Sequence, residues 1–186
     1  MNRRALLLGA VALGSLGASG RRRYLADHRE WTRELKLYEG FSTALLLRAT
    51  LLEPEFRAIL AAERRRLVNP SDADHAEFLA RMERDGAAYH EVVFAADSSF
   101  DDADRFGDPD LGWGLRLRVD GAEARLVAVD RVRSPSPLHE ALYVQHDIWS
   151  ALWIARFERM STAPRAIELL VGSGHGNGSV TWALGG

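Results

Sequence analysis

The sequence predicts an α+β fold rich in β-structure, an antiparallel β-sandwich or curled sheet of about eight strands with a two-helix insertion. Most apolar residues alternate with polar ones at the period of a half-buried strand. Short glycine-containing turns separate several of these segments, as they do in hairpins. Helical periodicity is concentrated in one stretch, 54–85, which disfavours a parallel sheet built from repeated βαβ units.

Length and charge predict one globular domain, residues 31–186, that does not bind nucleic acid. The chain has 186 residues and a net charge of −2. Without residues 1–20 it keeps 22 basic and 26 acidic side chains, a net charge of −4, which is unsuited to phosphate backbones. The chain contains no cysteine, which excludes disulfides, thiolate metal ligands, a cysteine nucleophile and lipid attachment to a thiol.

Residues 1–20 have the features of a secretory signal peptide. Arg3 and Arg4 form a basic start, Ala5–Ala18 is an apolar run, and small residues follow at a cleavage site. The run is too short to span a bilayer comfortably, so the mature form is expected not to be membrane-spanning. We expect an exported protein, periplasmic or released, and the choice between general and twin-arginine export stays open.

The first part of the mature chain is expected to be a flexible lead-in, 21–30, followed by a hairpin. Residues 21–30 are mostly polar. Alternation begins at Trp31 and continues to Leu37, and a more apolar strand covers Thr43–Leu52. Glu39 and Gly40 supply the turn between these two strands.

The helical insertion is predicted at 54–85. Pro54 suits the first turn of a helix, and apolar residues then recur at helical spacing. Asn69 and Pro70 break this helix, and Ser71 is placed to cap a second one. Gly86 ends the insertion.

The centre of the fold is predicted to be a hairpin, which follows a strand at Tyr89–Ala95. Trp113–Val119 alternates apolar and polar residues, and Asp120-Gly121 suits a two-residue turn. The return strand, Leu126–Val129, is apolar on both faces, which is expected for a sheet covered from both sides.

The C-terminal third contains three further strands. Trp149–Phe157 favours a core strand over a helix, and 139–148 stays open between the two. Strands are also predicted at Ile167–Val171 and Val180–Leu184. The glycine-rich segment 172–178 precedes a strand rather than a helix, so it is interpreted as a hairpin turn and not as a phosphate-binding loop.

Two groups of residues raise the possibility of a metal site, and for both the sequence favours no metal. Residues 97–110 contain six aspartates, among which Asp102, Asp104 and Asp108 could contribute calcium ligands, but EF-hand spacing is missing. His139 and His146, with Glu140 and Asp147 beside them, are the histidine pair most compatible with zinc, which needs three or four converging ligands. No catalytic, cofactor-binding or metal-ligating residue is therefore assigned.

The five tryptophans are predicted to belong mainly to the core. Most lie on the apolar side of a predicted strand, and large aromatic residues dominate protein cores. The alternative is that some of them line a ligand groove. They are Trp31, Trp113, Trp149, Trp153 and Trp182.

Several segments resemble exported bacterial lipoproteins of Gram-negative organisms with high genomic GC content, a group without an assigned role. The segments are LGAS in the leader, WTRELKLY, TLLEPEFRAIL, WGLRLRV and VTWAL. In LGAS, Ser19 stands where a lipoprotein carries its acylated cysteine, so this chain lacks the thiol that would receive a lipid. The resemblance implies an envelope protein and brings no catalytic residue with it.

These observations favour an exported cell-envelope protein that works as a non-catalytic binding or interaction module, without a cofactor, for an unknown protein or envelope component. Such a module should show an exposed apolar patch or an unpaired sheet edge. One alternative is a carrier of a small apolar ligand between the sheet and the two helices, with tryptophans as walls. The other is a metal-dependent hydrolase that uses His139, His146 and the acidic loop.

Overall fold

The computed structural model describes residues 19–100, 105–107, 112–161 and 163–185, and these form nine strands and four helices. The strands are β1 (Thr32–Glu39), β2 (Ser42–Leu51), β3 (Tyr89–Asp97), β4 (Gly114–Val119), β5 (Ala122–Ala124), β6 (Leu126–Arg131), β7 (Ala151–Glu158), β8 (Ala166–Ser173) and β9 (Gly176–Ala183). The helices are α1 (19–31), α2 (Pro54–Val68), α3 (Asp72–Ala88) and α4 (Pro137–Leu142). None of the described helices is both long enough and apolar enough to cross a membrane.

The strands form two antiparallel sheets, which confirms the predicted β-rich α+β fold. The five-stranded sheet has the order β1-β2-β3-β7-β6, and the four-stranded sheet has the order β5-β4-β8-β9. The sheets approach each other where β1 meets β9. Gly178 permits this approach, because a Cβ atom there would lie 2.8 Å from Leu35 Cδ1.

The molecule has three layers, a helical layer and two sheets, and an apolar core lies between each adjacent pair. The larger core lies between the sheets and contains Phe94, Trp113 and Trp182. The smaller core lies between the helices and the outer face of the five-stranded sheet, where Phe56 and Leu152 are buried. Helices therefore cover one sheet while the second sheet covers its other face.

The predicted helical insertion is confirmed as α2 and α3. Pro54 occupies the first turn of α2, and Asn69 ends that helix in the left-handed conformation. The Ser71 side chain caps α3 by accepting a hydrogen bond from the backbone N–H of Asp74. The segment 139–148, left undecided between helix and strand by the sequence, begins with the last residues of α4. Ser136 caps the N-terminus of this helix.

We call the two ends of the five-stranded sheet the basal end and the loop end. At the basal end, marked by Thr32, Leu51, Tyr89 and Glu158, the chain passes between strands and helices α1, α2 and α3. At the loop end, marked by Glu39, Ser42, Asp97 and Ala151, the strands are joined by turns and loops.

The predicted return strand of the central hairpin is wrong in its pairing. Asp120 and Gly121 make the expected turn, both at positive φ, but β4 pairs with the short β5. The chain then changes sheets at Arg125, and Leu126–Arg131 pairs with β7 as an edge strand of the five-stranded sheet. This strand is half-exposed rather than covered on both sides, and Val127 is 41% exposed.

The predicted flexible lead-in at 21–30 is also wrong, because these residues belong to α1. Tyr24 and His28 are buried, and Arg21 forms an ion pair with Glu63 of α2 at 3.0 Å. Tyr24, His28 and Trp31 share one helix face, a spacing of four and three residues that a polar background obscured in the sequence. Residues 1–18, which hold most of the predicted signal peptide, lie outside the described residues.

Candidate functional site

The basal end contains a buried ionic cluster centred on Glu53 and His90. His90 is the second residue of β3, and Glu53 immediately precedes α2. Glu53 Oε1 lies 2.8 Å from His90 Nδ1, and both carboxylate oxygens accept hydrogen bonds from the Arg159 guanidinium at 2.9 and 2.8 Å. The Met160 backbone N–H donates to His90 Nε2 at 3.4 Å, so Nδ1 carries the proton that points to Glu53.

A second carboxylate, Glu91, extends this cluster across the sheet. Glu91 Oε2 lies 3.0 Å from Arg57 Nη2 of α2, and Glu91 Oε1 lies 3.1 Å from Arg156 Nε of β7. Arg156 also pairs with Asp130 of β6 at 2.6 Å. Each buried carboxylate thus faces two cationic or hydrogen-bonding partners, and the cluster ties α2 to three strands.

A cavity of about 390 Å³ opens between α2 and α3, beside the same cluster. Its walls are mostly apolar and include Leu79 and Met82, while Arg57, Glu83 and Arg159 contribute the polar part. Gly86 keeps this space open on the α3 side, since a Cβ atom there would lie 3.2 Å from Arg57 Nε. None of its lining residues is a tryptophan.

A larger depression of about 860 Å³ involves the four-stranded sheet. Gly114 and Gly172 are cross-strand partners within it, and the missing side chains leave the backbone open. Its polar lining consists of Arg116, Ser173, Asn177 and Ser179.

The loop end carries four exposed large apolar side chains in two segments of the chain. Tyr38 is 65% exposed and Phe41 is fully exposed, at the turn between β1 and β2. Ile148 is 87% exposed and Trp149 is 79% exposed, in the loop that precedes β7. Other exposed large apolar residues among those described are distributed over the helices, β6 and the segment after β7. We call these four side chains the apolar tips.

The two segments adjoin strands of the same sheet. Phe41 lies between β1 and β2, and β2 is separated from β7 by β3 alone. Leu47 and Ala151 both pair with Ala96, so the turn between β1 and β2 extends several residues beyond the start of β7. Both segments lie at the loop end, since Ser42 begins β2 and Ala151 begins β7.

Specific hydrogen bonds hold the Trp149 loop in place. The Asp147 carboxylate accepts from the backbone N–H groups of Trp149 and Ser150, each at 3.0 Å. Arg48 of β2 pairs with Asp147 at 3.0 Å and donates to the Gln145 carbonyl. Partial burial raises the pKa of Asp147, but hydrogen bonds from Arg48, Ser150 and Trp149 outweigh it and hold that pKa below its usual value.

The residues around the tips are mainly acidic. Glu39 lies beside Tyr38 and faces His175 at 2.6 Å, and the His175 ring stacks on Phe100 with centroids 4.2 Å apart. Asp97 ends β3 at the same end of the sheet. The described carboxylates of Glu39, Asp97 and Asp147 therefore lie at the loop end with the apolar tips.

Two of the four residues considered for zinc have other side-chain partners in the structure. His139 Nδ1 lies 2.9 Å from the Ser136 hydroxyl as part of the α4 cap, and Asp147 is engaged by Arg48. In the parts of the chain that the structure describes, no group of three or more histidine, aspartate or glutamate side chains is placed to hold a metal ion. The proposed calcium ligands Asp102, Asp104 and Asp108 lie outside the described residues.

Three of the five tryptophans lie in the core, and the other two do not. Trp113, Trp153 and Trp182 are buried in the core between the sheets, as predicted. Trp31 is half-buried at the end of α1. Trp149 was predicted to begin a core strand, but β7 begins at Ala151 and leaves Trp149 in the exposed loop.

Comparison with models of known protein families gives no match, and no curated protein matches the chain.

Proposed function

We propose that this chain is an exported protein of the cell envelope that works as a non-catalytic binding module, with the apolar tips as its binding surface. The observation that carries this proposal is the exposure of Tyr38, Phe41, Ile148 and Trp149 at one end of the sandwich. Large apolar side chains grouped on a surface are typical of interaction sites. Aromatic residues in particular dominate the binding energy of protein interfaces.

The polar contacts that order the Trp149 loop support its role as a binding surface. Asp147 and Arg48 fix the backbone of a loop whose own apolar side chains point to solvent. A loop that is ordered by polar contacts and presents apolar groups loses little additional conformational entropy on binding. Large apolar side chains are normally buried, so the stability of the fold alone does not explain their exposure in this loop.

The basal cluster supports a structural role rather than a catalytic one for its ionisable groups. Both Glu53 oxygens are occupied by Arg159 and His90, and both Glu91 oxygens are occupied by arginines. A general acid or base has to reach a substrate proton, whereas these groups face one another.

Export to the envelope is the second part of the proposal and rests on the sequence of residues 1–20. Fractionation of cells that express the full chain tests it directly. We expect the protein in the envelope or periplasmic fraction, and replacement of Leu6, Leu7 and Leu8 by aspartate should retain it in the cytoplasm. Retention of the unaltered chain in the cytoplasm would contradict export.

Binding is tested by retention of the purified full chain on an isolated envelope fraction. The double variant Phe41→Ser/Trp149→Ser should bind about tenfold more weakly, because two aromatic contacts are removed. The matched control is Val127→Ser/Met160→Ser, which removes two exposed apolar side chains away from the loop end. Equal retention of all three proteins would contradict the proposal.

A second candidate, a carrier of a small apolar ligand, is favoured by the cavity between α2 and α3. Its position corrects the expectation of a site between sheet and helices, since that space is filled by the smaller core. The cavity is tested with a fluorescent apolar probe. Ala58→Leu, which fills the cavity, should abolish probe binding, whereas Ala62→Leu on the same helix should not. Binding that is unaffected by Ala58→Leu would exclude the cavity as the site.

A further inference from the structure

We infer that the cavity between α2 and α3 binds an uncharged apolar molecule that carries one hydrogen-bond acceptor, of which an ester of a medium-chain fatty acid is the simplest example. This inference rests on the second candidate function above, the carrier, and names the class of ligand that the carrier takes. Three features of the cavity support it: apolar walls, one N–H donor without a partner, and arginines that are already neutralised.

The walls of the cavity suit the apolar part of such a ligand. Pro54 and Ala58 line it from α2, and Leu79, Met82 and Ala87 line it from α3. Leu79 is 37% exposed, so a bound apolar molecule would remove part of this side chain from water. Met82 is unbranched and flexible, which lets the wall adapt to ligands of different shape. The volume of about 390 Å³ is in the range of small-molecule sites.

The hydrogen-bond donor is the Nε–H of Arg159. The Arg159 side chain lines the cavity and is only 8% exposed. Its two Nη atoms donate to the Glu53 carboxylate at 2.9 and 2.8 Å, whereas its Nε–H has no hydrogen-bond partner among the described residues. A donor on a side chain that is largely withdrawn from water is stabilised when a ligand supplies an acceptor.

Arg57, the other arginine of the cavity, offers no comparable donor. Its Nε donates to the Leu52 carbonyl at 2.7 Å, its Nη1 to the Met82 carbonyl at 3.4 Å and its Nη2 to Glu91 at 3.0 Å. Every nitrogen of this guanidinium therefore has a partner in the protein. Because only the Nε of Arg159 is left among the guanidinium nitrogens of the lining, we expect one acceptor group in the ligand.

The charges around this donor favour an uncharged ligand. Glu53 neutralises Arg159. Glu91 neutralises Arg57 in the same way, so little positive charge is left for an anion. Glu83 is exposed and lines the cavity, and it would repel a carboxylate or a phosphate. An ammonium group has only donors and cannot accept from the Nε–H of Arg159, whereas a neutral carbonyl oxygen can.

The first test compares three ligands that share an eight-carbon chain, namely methyl octanoate, octanoate and octylammonium, on the full chain. Each ligand competes with phenylnaphthylamine, a fluorescent apolar probe. We expect methyl octanoate to displace the probe at about tenfold lower concentration than either ion, because an ion loses its hydration without gaining a counter-charge. Displacement by either ion that equals displacement by the ester would overturn the inference.

A pair of neighbouring alanines locates this competition in the molecule. Ala87 and Ala88 are both exposed on α3, and of the two Ala87 lines the cavity. Ala87→Leu should weaken the binding of the probe and of methyl octanoate about tenfold, because the larger side chain occupies the cavity. Ala88→Leu is the matched control and should bind both as the unaltered protein does. Equal binding by the two variants would place the ligand elsewhere and overturn the inference.

Arg159→Lys tests the donor. Lysine keeps the positive charge that faces Glu53 but has no Nε–H. Methyl octanoate should bind about fivefold more weakly to this variant, while the affinity for phenylnaphthylamine stays unchanged. An unchanged affinity for the ester in the folded variant would overturn the role of Arg159. The ligand series on the unaltered protein does not depend on the folding of this variant.

The same measurements separate the inference from the carrier function on which it rests. If Ala87→Leu loses the probe but all three ligands displace it equally from the unaltered protein, an apolar carrier remains and the inference is overturned. If neither the probe nor any of the three ligands binds to the unaltered protein, both the carrier function and the inference are contradicted.

Discussion

The two ends of the five-stranded sheet reverse the ordinary distribution of side chains in opposite ways. At the basal end, the charged groups of Glu53 and Glu91 are buried, although such residues are normally exposed. At the loop end, Ile148 and Trp149 are exposed, although such residues are normally buried. The two ends differ in whether the chain itself neutralises the buried charges or covers the exposed apolar groups.

At the basal end, the buried carboxylates are neutralised by arginines of the same chain. Arg159 neutralises Glu53, and Arg57 and Arg156 neutralise Glu91, all within the chain. The loop end leaves its apolar area in water, and only a second surface can cover it. Comparison of the ends therefore separates a feature that determines the fold from one that points to a partner, and the following predictions test that separation.

The largest effect is expected from Glu53→Gln at the basal end. The change leaves the buried Arg159 guanidinium without a counter-charge, which should lower the free energy of unfolding by about 3–5 kcal/mol. Urea denaturation at neutral pH measures this. The control is Glu158→Gln, which removes the exposed pair with Arg125 nearby and should cost about 1 kcal/mol or less. If both variants lose equally little, the buried cluster does not stabilise the basal end.

Tryptophans provide the same comparison with one residue type. Trp182→Ala removes a ring buried between the sheets and its Nε1–H hydrogen bond to the Trp31 carbonyl at 2.8 Å. We expect a loss of about 3–5 kcal/mol in the free energy of unfolding. Trp149→Ala should change that free energy by about 0.5 kcal/mol or less, because its ring is already in water. A large loss for Trp149→Ala would mean that the loop end is part of the core.

The third prediction concerns His28, which fastens α1 to the sheet. Burial lowers the pKa of His28 to about 4 from its usual 6.5. Between these values the unfolded chain binds a proton that the folded chain does not, so stability falls as the pH falls. From pH 7 to pH 5 this contributes a loss of about 2 kcal/mol.

Urea denaturation at both pH values checks this contribution. His28→Gln should lose less stability over the interval than the unaltered protein, by about the same 2 kcal/mol. His139→Gln, at the exposed cap of α4, should retain the full loss. An unchanged pH dependence in His28→Gln would show that burial does not lower the pKa of His28 in the folded protein.

The sequence predicts the layers of the fold well because its periodicities are local. Alternation indicates β1, β2, β4 and β8, and proline and serine at helix starts indicate α2 and α3. The pairing of β6 could not be predicted, because the Asp120-Gly121 turn determines only the next few residues. Which sheet receives Leu126–Arg131 depends on the position of β7, a long-range property.

The exposure of Trp149 could not be predicted, for a related reason. Trp149 is separated from Trp153 by one helical turn and from β7 by one residue, so its sequence context is that of a core residue. Its exposure follows from the Asp147 carboxylate, which holds the loop before the strand begins. Aspartate followed within three residues by serine is a turn signal that could have moved the predicted start of the strand.

Asp147→Ala is expected to lower stability only slightly, and this variant tests whether the Trp149 loop is held by its own carboxylate. The change removes the acceptor for the N–H groups of Trp149 and Ser150 and the partner of Arg48. These groups are partly exposed, so the free energy of unfolding should fall by only about 1 kcal/mol. Amide hydrogen exchange at Trp149 and Ser150 should nevertheless accelerate, while exchange in β3 stays unchanged.

The matched control for this variant is Asp97→Ala, an acidic residue at the same end that ends β3. It should leave exchange in the Trp149 loop as it is. If Asp147→Ala also leaves that exchange unchanged, the loop is held by something other than its own carboxylate. The exposure of Trp149 would then follow from the start of β7 at Ala151 and not from the hydrogen bonds of Asp147.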